Sequence, residues 1–203
     1  MDGFEARARA KGYRAVAGVD EAGRGPLAGP VVAAAVILPP GFRHPGIRDS
    51  KALSAAAREK AYDIVLRDAV AHAVAFATHE EIDAINILRA SLLAMRRAVE
   101  MLSPHPDFLY VDGHRPISLP DEDRWRFVRQ QPIVSGDSLC VSVMAASILA
   151  KVSRDRLMEE YDREYPGYGF SAHKGYPTRD HLAALRSLGP CPIHRKTFRG
   201  VIV

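Results

Sequence analysis

Four acidic side chains stand where apolar segments of the chain end. Asp20 and Asp112 each follow an apolar run that predicts a β-strand, and Glu21 follows Asp20 directly. Asp137 comes at the start of a long helical pattern. Functional groups collect at such positions because the regular element fixes the backbone while the side chain reaches solvent. Each aspartate alone also has an ordinary explanation, as a turn former or a helix cap; the adjacent pair of acids is explained less well in that way.

Carboxylates brought together repel one another unless a cation neutralises them. A hard divalent ion does this well, because magnesium takes one or two carboxylates and keeps waters that a phosphate can replace. Two such ions about 4 Å apart clamp the attacking and leaving oxygens of a phosphodiester. The eight histidines show no metal-ligand spacing, so the chemistry predicted is oxygen-ligated Mg²⁺ or Mn²⁺ rather than zinc.

Hydrophobic periodicity predicts the elements that position these acids. Short apolar or alternating runs between turn formers predict strands at residues 15–20, 31–38, 70–76, 108–111 and 126–129. Apolar residues at helical spacing predict helices at residues 55–67, 85–102 and 138–164, and a last helix between Thr178 and Gly189. Ser54, Thr78 and Thr178 are predicted N-caps, and Thr78 has Glu81 at the spacing of a capping box. Interspersed strands and helices predict an α/β fold with a mixed sheet.

Composition bounds the class of protein. The chain has 203 residues, of which 47% are hydrophobic and 26% charged, so it can bury a core and is not intrinsically disordered. A net charge of +4 permits a polyanionic partner without requiring one. The charged N-terminus lacks the apolar core of a secretory signal, and the longest apolar run is too short to span a bilayer. Two distant cysteines predict reduced thiols and therefore a soluble cytoplasmic protein.

Several motifs together resemble the ribonuclease HII family of bacterial type 2 ribonucleases H. The opening block is GVDEAGRGPLAGPV at residues 18–31, and it is long and highly specific. Shorter matches follow along the chain at residues 49–51 (DSK), 111–113 (VDG), 136–138 (GDS), 145–152 (AASILAKV), 168–170 (YGF), 173–178 (HKGYPT) and 194–195 (HR). The resemblance extends from about residue 14 to the end of the chain.

The resemblance implies a ribonuclease H-like fold, with a five-stranded mixed sheet flanked by helices and a small helical C-terminal region. It divides the chain into a catalytic core at residues 14–164 and a C-terminal region at 165–203 that completes the substrate groove. The implied activity is metal-dependent endonucleolytic cleavage of the RNA strand of RNA–DNA hybrids. Cleavage 5′ to a single ribonucleotide embedded in duplex DNA, leaving 5′-phosphate and 3′-hydroxyl ends, is also implied. The family suggests a monomer.

The resemblance also implies roles for individual residues. The four family acids match Asp20, Glu21, Asp112 and Asp137, and Asp20 is expected to bridge two Mg²⁺ or Mn²⁺ ions. The family's loop for the 2′-hydroxyl at the RNA–DNA junction matches three consecutive residues, Gly23, Arg24 and Gly25, and the tyrosine that stacks on the following deoxyribose matches Tyr176. Candidate phosphate contacts are Lys51, Lys151, Lys174 and Arg195. Read without the family, residues 23–25 would be an ordinary glycine-rich turn and Tyr176 an ordinary packing aromatic.

Three other functions remain open at this point. An integrase or resolvase of the same fold would need a larger DNA-binding apparatus than this chain has room for. A non-catalytic module that binds RNA–DNA hybrids could lose the acids, yet all four are present. A phosphatase for small substrates would not need the loop at residues 23–25 or the tyrosine in the tail.

Overall fold

The computed structural model describes residues 3–201; the last two residues of the predicted C-terminal region lie outside this range. Its centre is a mixed five-stranded sheet in the order β3-β2-β1-β4-β5. The strands are β1 (Val16–Ala22), β2 (Val31–Ile37), β3 (Ala71–Ala77), β4 (Phe108–Asp112) and β5 (Arg129–Ile133). β1 is antiparallel to β2, and β2 to β3, whereas β4 is parallel to both β1 and β5. The predicted α/β fold with a five-stranded mixed sheet is confirmed.

Helices flank the sheet on both faces. They are α1 (Phe4–Ala10), α2 (Ala55–Asp68), α3 (His79–Ile85), α4 (Ile87–Glu100), α5 (Asp123–Arg126), α6 (Gly136–Leu139), α7 (Val141–Glu164), α8 (Phe170–His173) and α9 (Arg179–Leu188). The hydroxyls of Ser54, Thr78 and Thr178 cap α2, α3 and α9 as predicted, and Thr78 forms its capping box with Glu81. Within residues 3–201, no helix combines the length and the apolar character needed to cross a membrane.

The central strands are buried on both faces. Every residue of β2 is buried, and its alanines and valines pack against α4 on one face and against α2 and α7 on the other. Small side chains allow the helices to approach the sheet closely. The edge strand β3 alternates instead: its alanines face inward, whereas His72 and Phe76 are exposed. A strand covered on both faces reads as a continuous apolar run, which is why β2 was predictable.

The C-terminal region packs against the loop that joins β1 to β2. Leu27 and Ala28 of that loop share a buried cluster with Tyr168, Phe170 and Leu185. Backbone hydrogen bonds fasten the two parts, since the Leu27 N–H donates to the Gly175 carbonyl. The region is therefore placed beside the loop that carries residues 23–25.

Three predicted elements have different boundaries in the structure. The helix predicted at 85–102 begins at Ile87, because Asn86 adopts φ 68° and separates α3 from α4. The strand predicted at 126–129 lies at Arg129–Ile133, and residues 123–126 form a helical turn instead. The helix predicted at 138–164 is broken at Cys140, whose extended backbone ends α6 before α7 begins. Asp137 therefore lies in a short helix of its own.

Candidate active site

Strand pairing brings Asp20 and Asp112 together at one edge of the sheet. β1 and β4 run parallel with Val19 opposite Val111, so the acids that follow these residues are neighbours. Glu21, the next residue of β1, completes a group in which ligand oxygens of all three acids lie within 4.8 Å of one another. The predicted acidic site is therefore assembled by strand register, and Asp20, Glu21 and Asp112 are called the acid cluster below.

The acid cluster is electrostatically costly without a cation. Asp20 is 4% exposed, and burial followed by the charges of Glu21 and Asp112 holds its pKa well above the ordinary value. Burial also raises the pKa of Glu21, against the opposing effect of Arg24, whose Nη1 lies 3.2 Å from Glu21 Oε1. The pKa of Asp112 is raised by burial and by the charge of Asp137. Mutual repulsion in a buried setting is what a bound cation would relieve.

Asp137 lies beside the acid cluster but is bonded to a lysine. Its Oδ2 accepts a hydrogen bond from Lys51 Nζ at 2.6 Å, and the Asp137 residue is 4% exposed. The Gly136 N–H donates to Asp112 Oδ1 at 2.7 Å, which ties α6 to the end of β4. The four expected acids thus lie in one region, where three have ligand oxygens within 4.8 Å of one another and the fourth forms an ion pair with Lys51.

The donor set fits a hard divalent ion. The acid cluster offers only carboxylate oxygens, and Glu21 Oε2 is buried without a hydrogen-bond partner among the described residues. A buried orphan oxygen beside two other carboxylates is the arrangement that a magnesium or manganese ion satisfies. The residues that would hold the ion are those of the acid cluster, with Asp137 adjacent.

The glycine-rich loop and the tail tyrosine line the same cavity as the acids. This cavity has a volume of about 280 Å³, and its walls include the acid cluster, residues 23–25, Lys51, Lys151 and Tyr176. A methyl group built on Gly25 would lie 3.3 Å from the Tyr176 ring, so the aromatic ring covers the loop. Tyr176 remains 43% exposed. Residues far apart in sequence, from both ends of the chain, therefore meet in one groove.

Arg195 does not have the position expected of a phosphate contact. Its side chain is fully buried, and its guanidinium donates to the carbonyl oxygens of Gly29, Arg24 and Gly23 at 2.9, 3.0 and 2.6 Å. Each of the three guanidinium nitrogens donates to a backbone carbonyl. The prediction that Arg195 contacts phosphate is therefore wrong, and the residue instead holds the loop in place. Burial, and then the charge of Arg154, lowers its pKa to about 9.

Arg154, which is not among the predicted site residues, also lines the cavity. It is 1% exposed and donates to the carbonyls of Pro30, Ala28 and Lys174, at distances of 2.9 to 3.1 Å. A methyl group on Gly23 would lie 2.0 Å from Arg154 Nε, so glycine is required there both for space and for φ 98°. A signal existed in the sequence: Arg154 follows Ala150 at helical spacing on the buried face of α7, where an arginine needs partners.

The three lysines predicted to contact phosphate differ in whether they line the cavity. Lys151 faces the cavity and pairs with Asp155 at 2.6 Å. Lys174 is bonded to Glu159 and to the Ser171 carbonyl, both at 2.7 Å, and does not line the cavity. The side chain of Lys51 is 79% exposed despite its bond to Asp137. The structure therefore brings Lys51 and Lys151 to the groove and leaves Lys174 outside the cavity.

The fold and the acid cluster define a class of protein: an α/β enzyme with a carboxylate site for a divalent ion at the ends of two parallel strands. Residues 17–201 match the family model described as ribonuclease HII. The ribonuclease HII of Geobacter sulfurreducens is 58% identical over 198 residues, which are 98% of this chain and 88% of that protein.

Solved structures show the same likeness. The crystal structure of ribonuclease H2 from Pyrococcus horikoshii superposes with a TM-score of 0.74 at 30% identity, covering 93% of this chain and 95% of that one. The ribonuclease HII of Archaeoglobus fulgidus, solved in complex with PCNA, gives 0.71 at 26% identity and covers 92% and 96%. The chain belongs to the ribonuclease HII family. It is a metal-dependent endoribonuclease that acts on RNA–DNA hybrids.

Proposed function

We propose that this endoribonuclease also cuts duplex DNA 5′ to a single embedded ribonucleotide, leaving 5′-phosphate and 3′-hydroxyl ends. The observation that carries the proposal is the shared cavity, in which the acid cluster, the loop at residues 23–25 and Tyr176 stand within one groove. An enzyme that cuts within a continuous RNA strand needs a contact to a 2′-hydroxyl, but it does not need a second group that tests the sugar that follows. At a junction between ribose and deoxyribose, the loop can contact the ribose and Tyr176 can contact the deoxyribose.

The acids hold the catalytic ions in this proposal. Asp20 is the central ligand because it is the most buried member of the cluster and lies between Glu21 and Asp112. Asp137 joins them when Lys51 releases it. Two divalent ions, when bound, supply an activated water and stabilise the leaving 3′-oxygen.

The loop at residues 23–25 reads the ribose. The carbonyls of Gly23 and Arg24 are bound by Arg195, which fixes the orientation of the peptide planes in the loop. Glycines let the loop backbone approach a sugar closely, and a 2′-hydroxyl is both donor and acceptor. Backbone groups of the loop, which Arg195 holds in a fixed orientation, therefore recognise the 2′-hydroxyl.

Tyr176 reads the next sugar. Its ring is partly exposed, lies against Gly25 and faces the same cavity. Stacking on a deoxyribose is closer than stacking on a ribose, whose additional hydroxyl stands in the way, so the tyrosine gives a preference for DNA on the 3′ side of the ribonucleotide. Lys51 and Lys151, which face the groove, contact the phosphates.

The protein acts as a monomer in this proposal, because all of these residues come from one chain. We place its activity in the cytoplasm, since Cys140 and Cys191 are both free thiols.

Two labelled duplexes test the proposed function. One is DNA with a single ribonucleotide, and the other is an RNA–DNA hybrid without a junction; each is incubated with Mg²⁺, with Mn²⁺ and with chelator. Metal-dependent cleavage 5′ to the lone ribonucleotide is expected. Cleavage of the hybrid alone would retain the nuclease and remove the roles of residues 23–25 and Tyr176. Binding without cleavage of either duplex would indicate a non-catalytic hybrid-binding module instead.

A further inference from the structure

Helix α1 precedes the catalytic core predicted at residues 14–164, yet it is firmly docked on the sheet. The Phe4 ring meets Tyr110 of β4 edge-on, with ring centroids 5.4 Å apart, and the Tyr110 hydroxyl donates to the Phe4 carbonyl at 2.7 Å. Ala8 is buried in the same apolar cluster. These contacts fix the position of the one acid on this helix, Glu5.

Glu5 caps the N-terminus of a different helix. The residue at the N-cap position of α7, Cys140, provides no side-chain cap. Glu5 Oε1 takes this place, accepting hydrogen bonds from Ser142 N at 2.8 Å, Ser142 Oγ at 2.8 Å and Cys140 Sγ at 3.0 Å. Burial, together with the charge of Glu5, raises the pKa of the Cys140 thiol, so the thiol stays protonated and donates. A carboxylate here satisfies orphan donors and complements the dipole of a 24-residue helix.

The capped turn contacts two elements that carry acids of the active site. A methyl group built on Gly18 would lie 2.2 Å from the Ser142 carbonyl carbon, so the first turn of α7 rests directly on β1, two residues before Asp20. On its other side, Cys140 N–H donates to the Gly136 carbonyl at 2.9 Å and closes α6, the helix that carries Asp137. The turn therefore links the position of α6, which carries Asp137, to that of β1, which carries Asp20.

We propose that Glu5 is a positioning residue for the active site: by capping α7 it fixes the α6–α7 junction and thereby the place of Asp137 beside the acid cluster. This inference rests on the metal-binding role of Asp137 in the proposed function. Glu5 itself touches neither substrate nor metal. Misplacing a catalytic group by a fraction of an ångström lowers the rate of the chemical step more than it weakens the binding of a long duplex.

Glu5→Gln is the test, because it keeps an acceptor oxygen but removes the charge. We expect kcat to fall by about three- to tenfold in Mg²⁺ while KM for the duplex changes by less than about twofold. The rise in Tm on adding Mn²⁺, which needs no turnover, should be smaller than in the wild type. Glu160→Gln controls for charge, since Glu160 is exposed near the far end of α7. Val99→Ala controls for a general loss of stability, because it removes buried methyl groups of α4 and leaves α1 and the cap unchanged.

Two outcomes would overturn the proposal. If Val99→Ala reproduces the fall in kcat at a temperature where both variants are folded, the fall reflects lost stability rather than the cap, and the proposal is overturned. The same holds if Glu5→Gln keeps wild-type kcat and the full Mn²⁺ shift. If Glu5→Gln does not fold, Ser142→Ala replaces it, since this variant loses only the hydroxyl bond and should show a smaller change of the same kind. Wild-type cleavage by Asp137→Asn would instead refute the role of Asp137 in the proposed function.

Discussion

Asp20→Asn is expected to stabilise the metal-free protein while abolishing cleavage. Asp20 is buried among other acids, and its raised pKa has burial and the charges of Glu21 and Asp112 as its leading causes. The substitution removes the charge with little change in shape. It therefore removes repulsion that the folded protein otherwise tolerates for the sake of metal binding.

The magnitude follows from the separation of the oxygens. Two unit charges at the 4.8 Å that bounds the cluster repel by about 0.9 kcal/mol in water and by about 3.5 kcal/mol at an effective dielectric constant of 20. The repulsion from Glu21 persists partly in the unfolded chain, because the residues are adjacent. We therefore expect a gain below the upper value, of about 2 kcal/mol, which corresponds to a rise in Tm of about 4–8 °C for a chain of this size.

The sign of the pH dependence follows from the same shift. Because the pKa of Asp20 is raised in the folded state, the folded chain holds this proton more tightly than the unfolded chain does. The stability of the metal-free wild type should therefore fall as the pH rises from the ordinary aspartate pKa of about 4 through the raised folded value. Above that value the penalty is fully present, and Asp20→Asn should lack this part of the pH dependence.

The assay is thermal unfolding of wild type and variant in chelator and then in saturating Mn²⁺. In chelator the variant should be the more stable; in Mn²⁺ the wild type should gain more and reduce or reverse the difference. Asp83→Asn is a matched control with the opposite sign, because the Asp83 carboxylate accepts hydrogen bonds from Lys196 N, Thr197 N and Thr197 Oγ1. A metal-free Asp20→Asn protein less stable than the wild type would refute the reasoning about repulsion.

Three further predictions concern the loop and the tyrosine. Gly23→Ala forces a positive φ on alanine and pushes against buried Arg154, so chemical denaturation should show a loss of about 3–5 kcal/mol. Arg195→Lys keeps the charge but cannot reach three carbonyls as a fork; cleavage at a lone ribonucleotide should fall more than cleavage of a hybrid, and equal falls would count against a loop-holding role. Tyr176→Ala should lose about tenfold or more of the preference for the junction while keeping the Mn²⁺-induced rise in Tm, and an unchanged preference would exclude Tyr176 from recognition.

The sequence predicted what depends on local pattern. Strand β2 is a continuous apolar run, and the caps at Ser54, Thr78 and Thr178 follow short-range spacing, so these elements lie where expected. The sequence placed Asp20 and Asp112 at the ends of apolar segments, but the parallel pairing of β1 with β4 that brings them together is observed only in the structure.

What the sequence could not predict depends on tertiary contacts. The break at Cys140 is stabilised by Glu5, which lies more than a hundred residues earlier, and no local signal marks it. Arginine is a residue type that often binds phosphate, and only the burial of Arg195 against the loop carbonyls shows that it does not have this role. The bond from Lys51 to Asp137 likewise joins two distant segments. Long-range hydrogen bonds of charged side chains thus determined each of these differences.

The most direct measurement of the central claim uses sulphur at the scissile phosphate. A duplex with one ribonucleotide is prepared with a phosphorothioate immediately 5′ to it, the two diastereomers are separated, and single-turnover cleavage is followed in Mg²⁺ and in Mn²⁺. If metal held by the acid cluster contacts this phosphate, one diastereomer should be cut much more slowly in Mg²⁺ and recover in the more thiophilic Mn²⁺. The account would be contradicted if both diastereomers were cut in Mg²⁺ at the rate of the unmodified duplex, or if cleavage occurred at another phosphate.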